Sequence, residues 1–260
     1  MSNKIQIAVA CGFNSEKYVE FLIDTIDRTV SNENEIEYII GISNEKVDKD
    51  YINNIKTKYV IKIIDIFKDH GNSGHGLALN ELLKHLNSEY GMFVDCDIGL
   101  LIKNWDIKMQ KQLIDNKIII GSEYEGKKYW NFPNATFCMF KTDILKGLNI
   151  SFIPLSRNHK HLFELDEEKA KYFCRNVGDR IVLDVGWELP IKIKKNNYDG
   201  VYLTSHARGK FVNNGLVATE YQLDGEVIAT HIARSSVRDF VNDPKVIMWK
   251  QRVIEWIEKL

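Results

Sequence analysis

Apolar residues in this chain fall into two patterns: short, nearly continuous runs, and stripes that repeat every three to four residues. These are the marks of buried strands and of amphipathic helices. Ile5 to Cys11 is a run of the first kind, broken by Gly12, and suits a central parallel strand covered on both faces. Ser15 is placed to cap a helix in which Tyr18, Leu22, Ile26 and Thr29 share one stripe. Ile36 to Ile42 predicts a second strand ended by Ser43-Asn44, Lys46 to Lys56 a charge-rich helix, and Val60 to Phe67 a third strand. Gly71 to Gly76 then reads as a glycine-rich turn feeding a helix with Leu79, Leu82, Leu83 and Leu86 on one face, and Tyr90 to Val94 as the next strand. This alternation of strand and helix argues for an α/β fold, with right-handed crossovers building a mostly parallel central sheet flanked by helices.

Beyond that point Trp105 to Asp115 predicts a helix, Lys117 to Gly121 a strand, Gly126 to Pro133 a loop carrying Tyr129, Trp130 and Phe132, and Ala135 to Phe140 a strand. Ser151 to His161 is irregular and Asp166 to Cys174 a charged helix. The apolar Ile181-Val182-Leu183 leads into a helix bearing Leu189, Ile191 and Ile193. Val201 to Thr204, Leu216 to Gln222 and Glu226 to His231 predict short strands around a loop from Gly209 to Gly215. A last helix puts Val246, Trp249, Val253, Trp256 and Leu260 on one stripe, as core packing.

Composition narrows this picture by exclusion. With 44% apolar and 27% charged residues the 260-residue chain is an ordinary globular one, long enough to bury a substantial core. Its 35 basic and 36 acidic side chains leave a net charge of -1, without the electrostatic footprint of a nucleic-acid binder. No run of about 18 apolar residues predicts a spanning helix, and the N-terminus enters a strand pattern without a leader. The expected location is cytoplasmic, with peripheral membrane contact left open. Cys11, Cys96, Cys138 and Cys174 form neither a paired motif nor a disulfide framework and read as buried small hydrophobes in a reducing compartment.

Ligands of parallel sheets bind beyond the carboxyl ends of the strands. That rule gathers the loop Cys11-Gly12-Phe13-Asn14, Ser43-Asn44, Asp69 to Gly76 with Gly74 and His75, and Asp95 to Asp97 into one crevice. Because side chains alternate along a strand, Asp95 and Asp97 leave its end on the same side, where two carboxylates can share a hard divalent cation. Without one they repel each other and are costly to desolvate. The helix after Gly76 offers unpaired N–H groups to an anion such as a phosphate. His231 can complete the cation site, and Arg234 can meet a phosphate. His159 and His161 flank a lysine on a polar loop and read as solvated. Asp184, beside Gly186 and Trp187, has the chemistry of a general base next to a stacking platform, or else starts the following helix as its cap.

Taken together, Gly71 to Asn80, Tyr90 to Asp97 with Asp95-Cys96-Asp97, Asp184-Val185-Gly186-Trp187, and His231 with Ser235-Ser236 resemble glycosyltransferases of the GT-A fold, most closely the broad family 2 type. The resemblance implies one GT-A-like domain over residues 1–260, with a nucleotide-sugar-binding half over 1–121 and an acceptor-binding half plus the C-terminal helix over 122–260. It implies a hexosyltransferase-type enzyme (EC 2.4) holding a nucleotide-diphosphate sugar, UDP-linked by preference, with Mn2+ or Mg2+, and passing the sugar to a hydroxyl of a glycan, lipid-linked or protein acceptor with inversion. Asp97 would be the main metal ligand, Asp95 would face the ribose or reach the ion through water, and His231 would be a further ligand. Cys11, Gly12, Asn14, Asn44, Asp69, Gly74, His75, Asn80 and Arg234 would line the nucleotide-sugar. Two positions depart from the family pattern. Leu79 stands before Asn80 where an arginine is usual, and Asp-Val-Gly replaces the common Glu-Asp pair, so Asp179, Asp184 and Glu188 are rival bases. Two other readings stay open: an Asp-x-Asp phosphatase of the haloacid dehalogenase type, and a non-catalytic sugar- or nucleotide-binding protein.

Overall fold

In the computed structural model, which describes residues 3–66, 72–123, 132–158, 175–177, 180–207, 209–212, 216, 218–232 and 238–260, the first apolar run forms β1 (Asn3–Cys11). α1 (Glu16–Thr29), β2 (Asn34–Ile42), α2 (Lys49–Asn53), β3 (Val60–Asp65), α3 (Asn72–His85) and β4 (Tyr90–Val94) follow in the predicted rhythm. β1 lies between parallel neighbours β2 and β4, with β3 parallel beyond β2. Successive residues of β1 face opposite layers: Ile5, Ile7 and Val9 pack with α1 and α2, while Ala8 packs with α3. α2 is shorter than its charge pattern suggests. Asn44 Oδ1 accepts from Lys46 N in a local turn, so the helix starts only at the Asp48 cap, whose side chain accepts from Tyr51 N.

The second half comprises β5 (Ile98–Leu100), α4 (Trp105–Gln110), β6 (Lys117–Ser122), β7 (Phe137–Lys141), α5 (Thr142–Gly147), β8 (Leu155–Asn158), β9 (Arg175–Val177), β10 (Arg180–Leu183), α6 (Glu188–Lys195), β11 (Asp199–His206), β12 (Thr219–Leu223), β13 (Glu226–His231) and α7 (Pro244–Ile257). Ten strands form one sheet in the order β3-β2-β1-β4-β7-β6-β11-β12-β13-β5, and β8-β10-β9 form a small separate one. The large sheet is only partly parallel, which corrects the expectation of a mostly parallel one. β1–β2, β2–β3, β1–β4 and β6–β11 are parallel, while β4–β7, β6–β7, β11–β12, β12–β13 and β13–β5 are antiparallel. The cause is local for one pair: Asp224 and Gly225 both have positive φ (51° and 81°), the geometry of a tight hairpin, so β13 must run back along β12. α4 is also shorter than predicted, because the chain turns after Gln110 and passes through Asp115 at φ 50°.

The predicted helix Asp166 to Cys174, the aromatics Tyr129 and Trp130, and His159 and His161 lie outside the described residues. Phe132 does not stand out as an exposed aromatic but is fully buried. Among the described residues Cys11, Cys96 and Cys138 are buried free thiols, and no helix is long and apolar enough to cross a membrane.

One buried charge ties β1, β2 and β3 together. Glu37 of β2 is 2% exposed and takes Lys4 Nζ at 2.8 Å, Gln6 Nε2 at 2.6 Å and the Lys62 ammonium. Burial alone would raise its pKa, but these donors together outweigh it and hold the carboxyl at about 2. The depressed value means that stability is present above the unfolded carboxylate range and is lost as pH falls from about 5 toward 2. Glu37→Gln is therefore expected to lose roughly 2 kcal/mol at pH 7 and to flatten acid unfolding over that window, read by urea titrations at several pH values. An unchanged acid profile in the variant would sink this account.

Candidate functional site

The Asp-x-Asp stretch forms the turn between β4 and β5. Asp95 N donates to Thr136 O at 2.8 Å and Ile98 N to Asp95 O at 3.2 Å. β5 then pairs antiparallel with β13, His231 opposite Ile98, and Ile232 N donates to Asp97 O at 3.2 Å. This register puts His231 Nε2 3.1 Å from Asp97 Oδ1. One ligand atom each from Asp95, Asp97 and His231 lies within 4.8 Å of the other two. Asp97 is buried, while Asp95 and His231 are partly open. Burial works against the charged imidazole, but Asp97 and then Asp95 outweigh it and hold the His231 pKa above its ordinary value. Two carboxylates and an imidazole in that span make an oxygen-rich donor set that fits Mn2+ or Mg2+. His75 joins the group's edge, with Nε2 3.5 Å from Asp95 Oδ1.

Packing behind the ladder fixes its position. α7 lies against β5, where a Cβ on Gly99 would meet Val253 at 3.3 Å and Trp249 at 3.4 Å. Trp249 Nε1 donates to Thr230 Oγ1 on β13 at 3.3 Å.

The other predicted residues divide in two groups. Gly12 and Asn14 form the turn after β1, with Asn14 at φ 61°, and Ser43 N donates to Cys11 O at 3.0 Å, so the first two loops do meet. Asn44 stands in the second of these loops. The Cys11 side chain, by contrast, is fully buried in the core, and burial followed by the charge of Glu16 pushes its thiol up to about 12. Its carbonyl meets the second loop through Ser43, and its thiol donates to Gly12 O at 3.8 Å. Gly71 to Gly76 is not a phosphate-cradling loop over the part described: the helix already begins at Asn72, so Gly74 and His75 are in its first turn. Gly76 serves close packing instead, since a Cβ there would come within 2.4 Å of Phe152 O. Asn80 is likewise committed, its Oδ1 accepting from Phe152 N at 2.9 Å. Asp69, Asp179, Arg234, Ser235 and Ser236 lie outside the described residues.

Asp184 is partly buried and its Oδ1 accepts from Val185 N at 2.8 Å. It does not cap α6, whose N-cap position is Trp187. Glu188 Oε2 accepts from Ser151 N and from Lys192 Nζ, both at 2.8 Å, which ties it to scaffolding. Trp187 is buried and donates to Ile153 O at 3.1 Å, so its face is packed and offers no platform.

Sequence reading missed several neighbours. A cavity of about 530 Å³ opens beside Asn14, lined also by Lys17, Asp48, Tyr51, Arg238 and Phe240. Arg238 Nη1 is buried and has no hydrogen-bond partner among the described residues. None of the three clustered ligands lines this cavity, but Tyr18 connects the two places. Its hydroxyl donates to Arg238 O at 3.3 Å, and burial, then the charge of Asp97, raises its pKa. Asn134, just ahead of β7, is buried. Its Oδ1 accepts from Ser122 Oγ at 3.0 Å and Thr136 N at 2.8 Å, and its amide nitrogen has no partner among the described residues. Tyr18 had been counted as a core position only, and Arg238 and Asn134 carry no local pattern.

The strand order, the flanking helices and the site at the carboxyl edge of the parallel strands make this a GT-A-like glycosyltransferase fold. Among solved structures the chain is similar to PcManGT, a mannosyltransferase from Pyrobaculum calidifontis solved with GDP-Man and Mn2+, with a TM-score of 0.50 and 13% identity over 76% of this chain and 54% of that one. Looser matches include S. aureus TarS (TM-score 0.43, 18% identity, 57% of this chain and 30% of that one) and TarS 1-349 with UDP-GlcNAc (0.41, 19%, 57% and 48%). The chain thus spans about half or less of the length of these proteins. No protein-family model matches the sequence, and no curated protein is significantly similar to it in sequence.

Because Trp249 is fully buried behind the ladder, Trp249→Ala is expected to cost about 3 to 5 kcal/mol, read as a lower urea midpoint. A loss below about 1 kcal/mol would mean that α7 does not brace β5 and β13.

Proposed function

We propose that this chain is a metal-dependent glycosyltransferase that moves a sugar from a nucleoside-diphosphate donor to a hydroxyl of a glycan, lipid-linked or protein acceptor, with inversion. The observation that carries this reading is the convergence of Asp95, Asp97 and His231 at the carboxyl edge of the parallel strands of a GT-A-like fold. The pairing of His231 with Asp97 favours it over an Asp-x-Asp phosphatase, in which the second aspartate must be free to exchange protons with substrate. UDP-linked donors are the first choice; PcManGT, solved with GDP-Man, puts GDP-linked donors beside them.

In this reading Asp97 and His231 hold the cation with Asp95. When bound, the cation supplies positive charge against the departing nucleoside diphosphate. The turn of Gly12 and Asn14, together with Asn44, flanks the nucleotide. Lys17 and Arg238 face its anionic part from the adjoining cavity, whose lining also includes Glu16, Asp48 and Asp239. His75 orients Asp95. Of the rival bases, Asp179 lies outside the described residues and Glu188 is already engaged by Lys192 and Ser151; in this reading Asp184 takes the acceptor hydroxyl proton on its carboxylate as the oxygen attacks the anomeric carbon from the side opposite the leaving group. Residues 1–121 then chiefly bind nucleotide and 122–260 acceptor, with His231 crossing from the second half into the first.

Two measurements test this. Thermal-shift titration of the whole chain with UDP, GDP, dTDP and CMP, each with and without Mn2+, is expected to show one nucleotide stabilising the fold only with metal, by about 2.7 kcal/mol at a hundredfold excess over Kd. Asp97→Ala should lose that effect; if no nucleotide stabilises the wild type under any condition, the transferase reading fails. Once the donor is known, Asp184→Asn is expected to lower kcat by roughly 10² to 10⁴ while leaving metal-dependent nucleotide binding intact. An unchanged kcat would remove Asp184 from the role of base.

A further inference from the structure

His231 is held from both sides. Nε2 faces Asp97 Oδ1 at 3.1 Å, and Nδ1 faces the hydroxyl of Tyr221 at 3.1 Å. Tyr221 sits on β12, paired with Ala229 of β13, and is 4% exposed. Its ring stacks on Phe137 with centroids 6.1 Å apart and planes 10° from parallel, so it is fixed by packing as well as by its hydroxyl.

We infer that Tyr221 is a positioning residue for the cation site, its hydroxyl holding the His231 ring in place while it changes from donor to acceptor as a cation takes the place of the Nε2 proton. The inference rests on the metal reading given above. An ionised carboxylate only accepts, so beside Asp97 a neutral His231 carries its proton on Nε2 and presents a bare Nδ1, which accepts from the Tyr221 O–H. A metal ion needs a bare nitrogen. With Nε2 bound to the ion, the single proton of the neutral ring resides on Nδ1 and is donated to the Tyr221 oxygen. For a ring that starts neutral, no proton is gained or lost overall. A hydroxyl can serve both states by turning its O–H, whereas an ammonium or an ionised carboxylate at that point serves only one. Phenylalanine would keep the stack on Phe137 and lose the partner in both states.

The test uses the full chain at pH 8 with Mn2+ alone, its free concentration followed by electron paramagnetic resonance. Tyr221→Phe is expected to weaken Mn2+ binding about tenfold or more relative to wild type, as losses of partners behind a metal-bound histidine do. In a His231→Ala background the same change is expected to add nothing. Nitrogen-15 NMR of the wild-type histidines, with Zn2+ as a diamagnetic probe, is expected to show His231 passing from the Nε2–H to the Nδ1–H tautomer on saturation. This spectrum decides the tautomer whether or not the variant folds. If the wild type binds Mn2+ and Asp97→Ala does not, but Tyr221→Phe binds as tightly as wild type, the role of Tyr221 falls and the metal reading stands. Retention of the Nε2–H tautomer in saturating Zn2+, or a further loss in the His231→Ala background, likewise overturns it. If the wild type binds no Mn2+, or Asp97→Ala binds it equally well, the metal reading falls and this inference with it.

Discussion

The pairing of β5 with β13 is the constraint on which the site depends. It joins positions 134 apart in sequence and leaves the Asp97 carboxylate, almost without solvent, against the His231 ring. A buried carboxylate with a second one close by is unstable unless positive charge or hydrogen-bond donors answer it. Here His231 answers Asp97, and His75 lies 3.5 Å from Asp95. The ladder is only a few residues long, so backbone bonds alone do not hold it; α7, reaching Gly99 through Val253 and Trp249, supplies the apolar cover. The chemistry of the strand end and the packing of the last helix are one problem.

What could be read from the sequence follows from how local each signal is. β1, α1, β2 and β4 were legible because each carries a strong period or an unbroken apolar run, and those four elements alone fix the edge where Asp95 and Asp97 emerge. The stripe of Val246, Trp249 and Val253 was legible as packing, though nothing in it told what it packs on. β5 was not legible. Ile98-Gly99-Leu100 is too short to show alternation, and it is a strand only because β13 lies beside it. The clustering of His231 with the aspartates was a guess in the sequence for the same reason. The turn read at Gly71 to Gly76 is already helix from Asn72 on, and it takes the position of the Phe152 carbonyl to show what Gly76 closely approaches. The antiparallel half of the sheet was hidden because strand direction depends on the connections more than on the strands.

A second lesson concerns polar residues that looked like site chemistry and turned out to be structure. Asn80, Glu188 and Trp187 all converge on residues 151–153, where they satisfy Phe152 N, Ser151 N and Ile153 O. That segment runs between α3 and α6 without a strand partner, so its backbone groups need side-chain partners or would be left orphaned. The three residues carry suggestive chemistry and a sequence position near the motifs, but each is tied by a hydrogen bond into this segment. Asp184 and Glu188 are both half-buried, and the engagement of Glu188 by Ser151 and Lys192 is the physical ground for preferring Asp184 as a proton acceptor.

The same segment connects Asp184 to the strand end that carries the clustered aspartates. Gly186, at φ 77°, lets the chain turn from Asp184 into α6; a Cβ there would lie 3.4 Å from that of Ala135 and 3.7 Å from the Phe152 ring. Ala135 in turn precedes Thr136, whose carbonyl holds Asp95 N. A short path of packed atoms therefore runs from the candidate base to the candidate metal ligands, and none of its steps is a charged contact. The Gly186–Ala135 step is van der Waals packing, which is stiff and does not drift with salt or pH as an ion pair would.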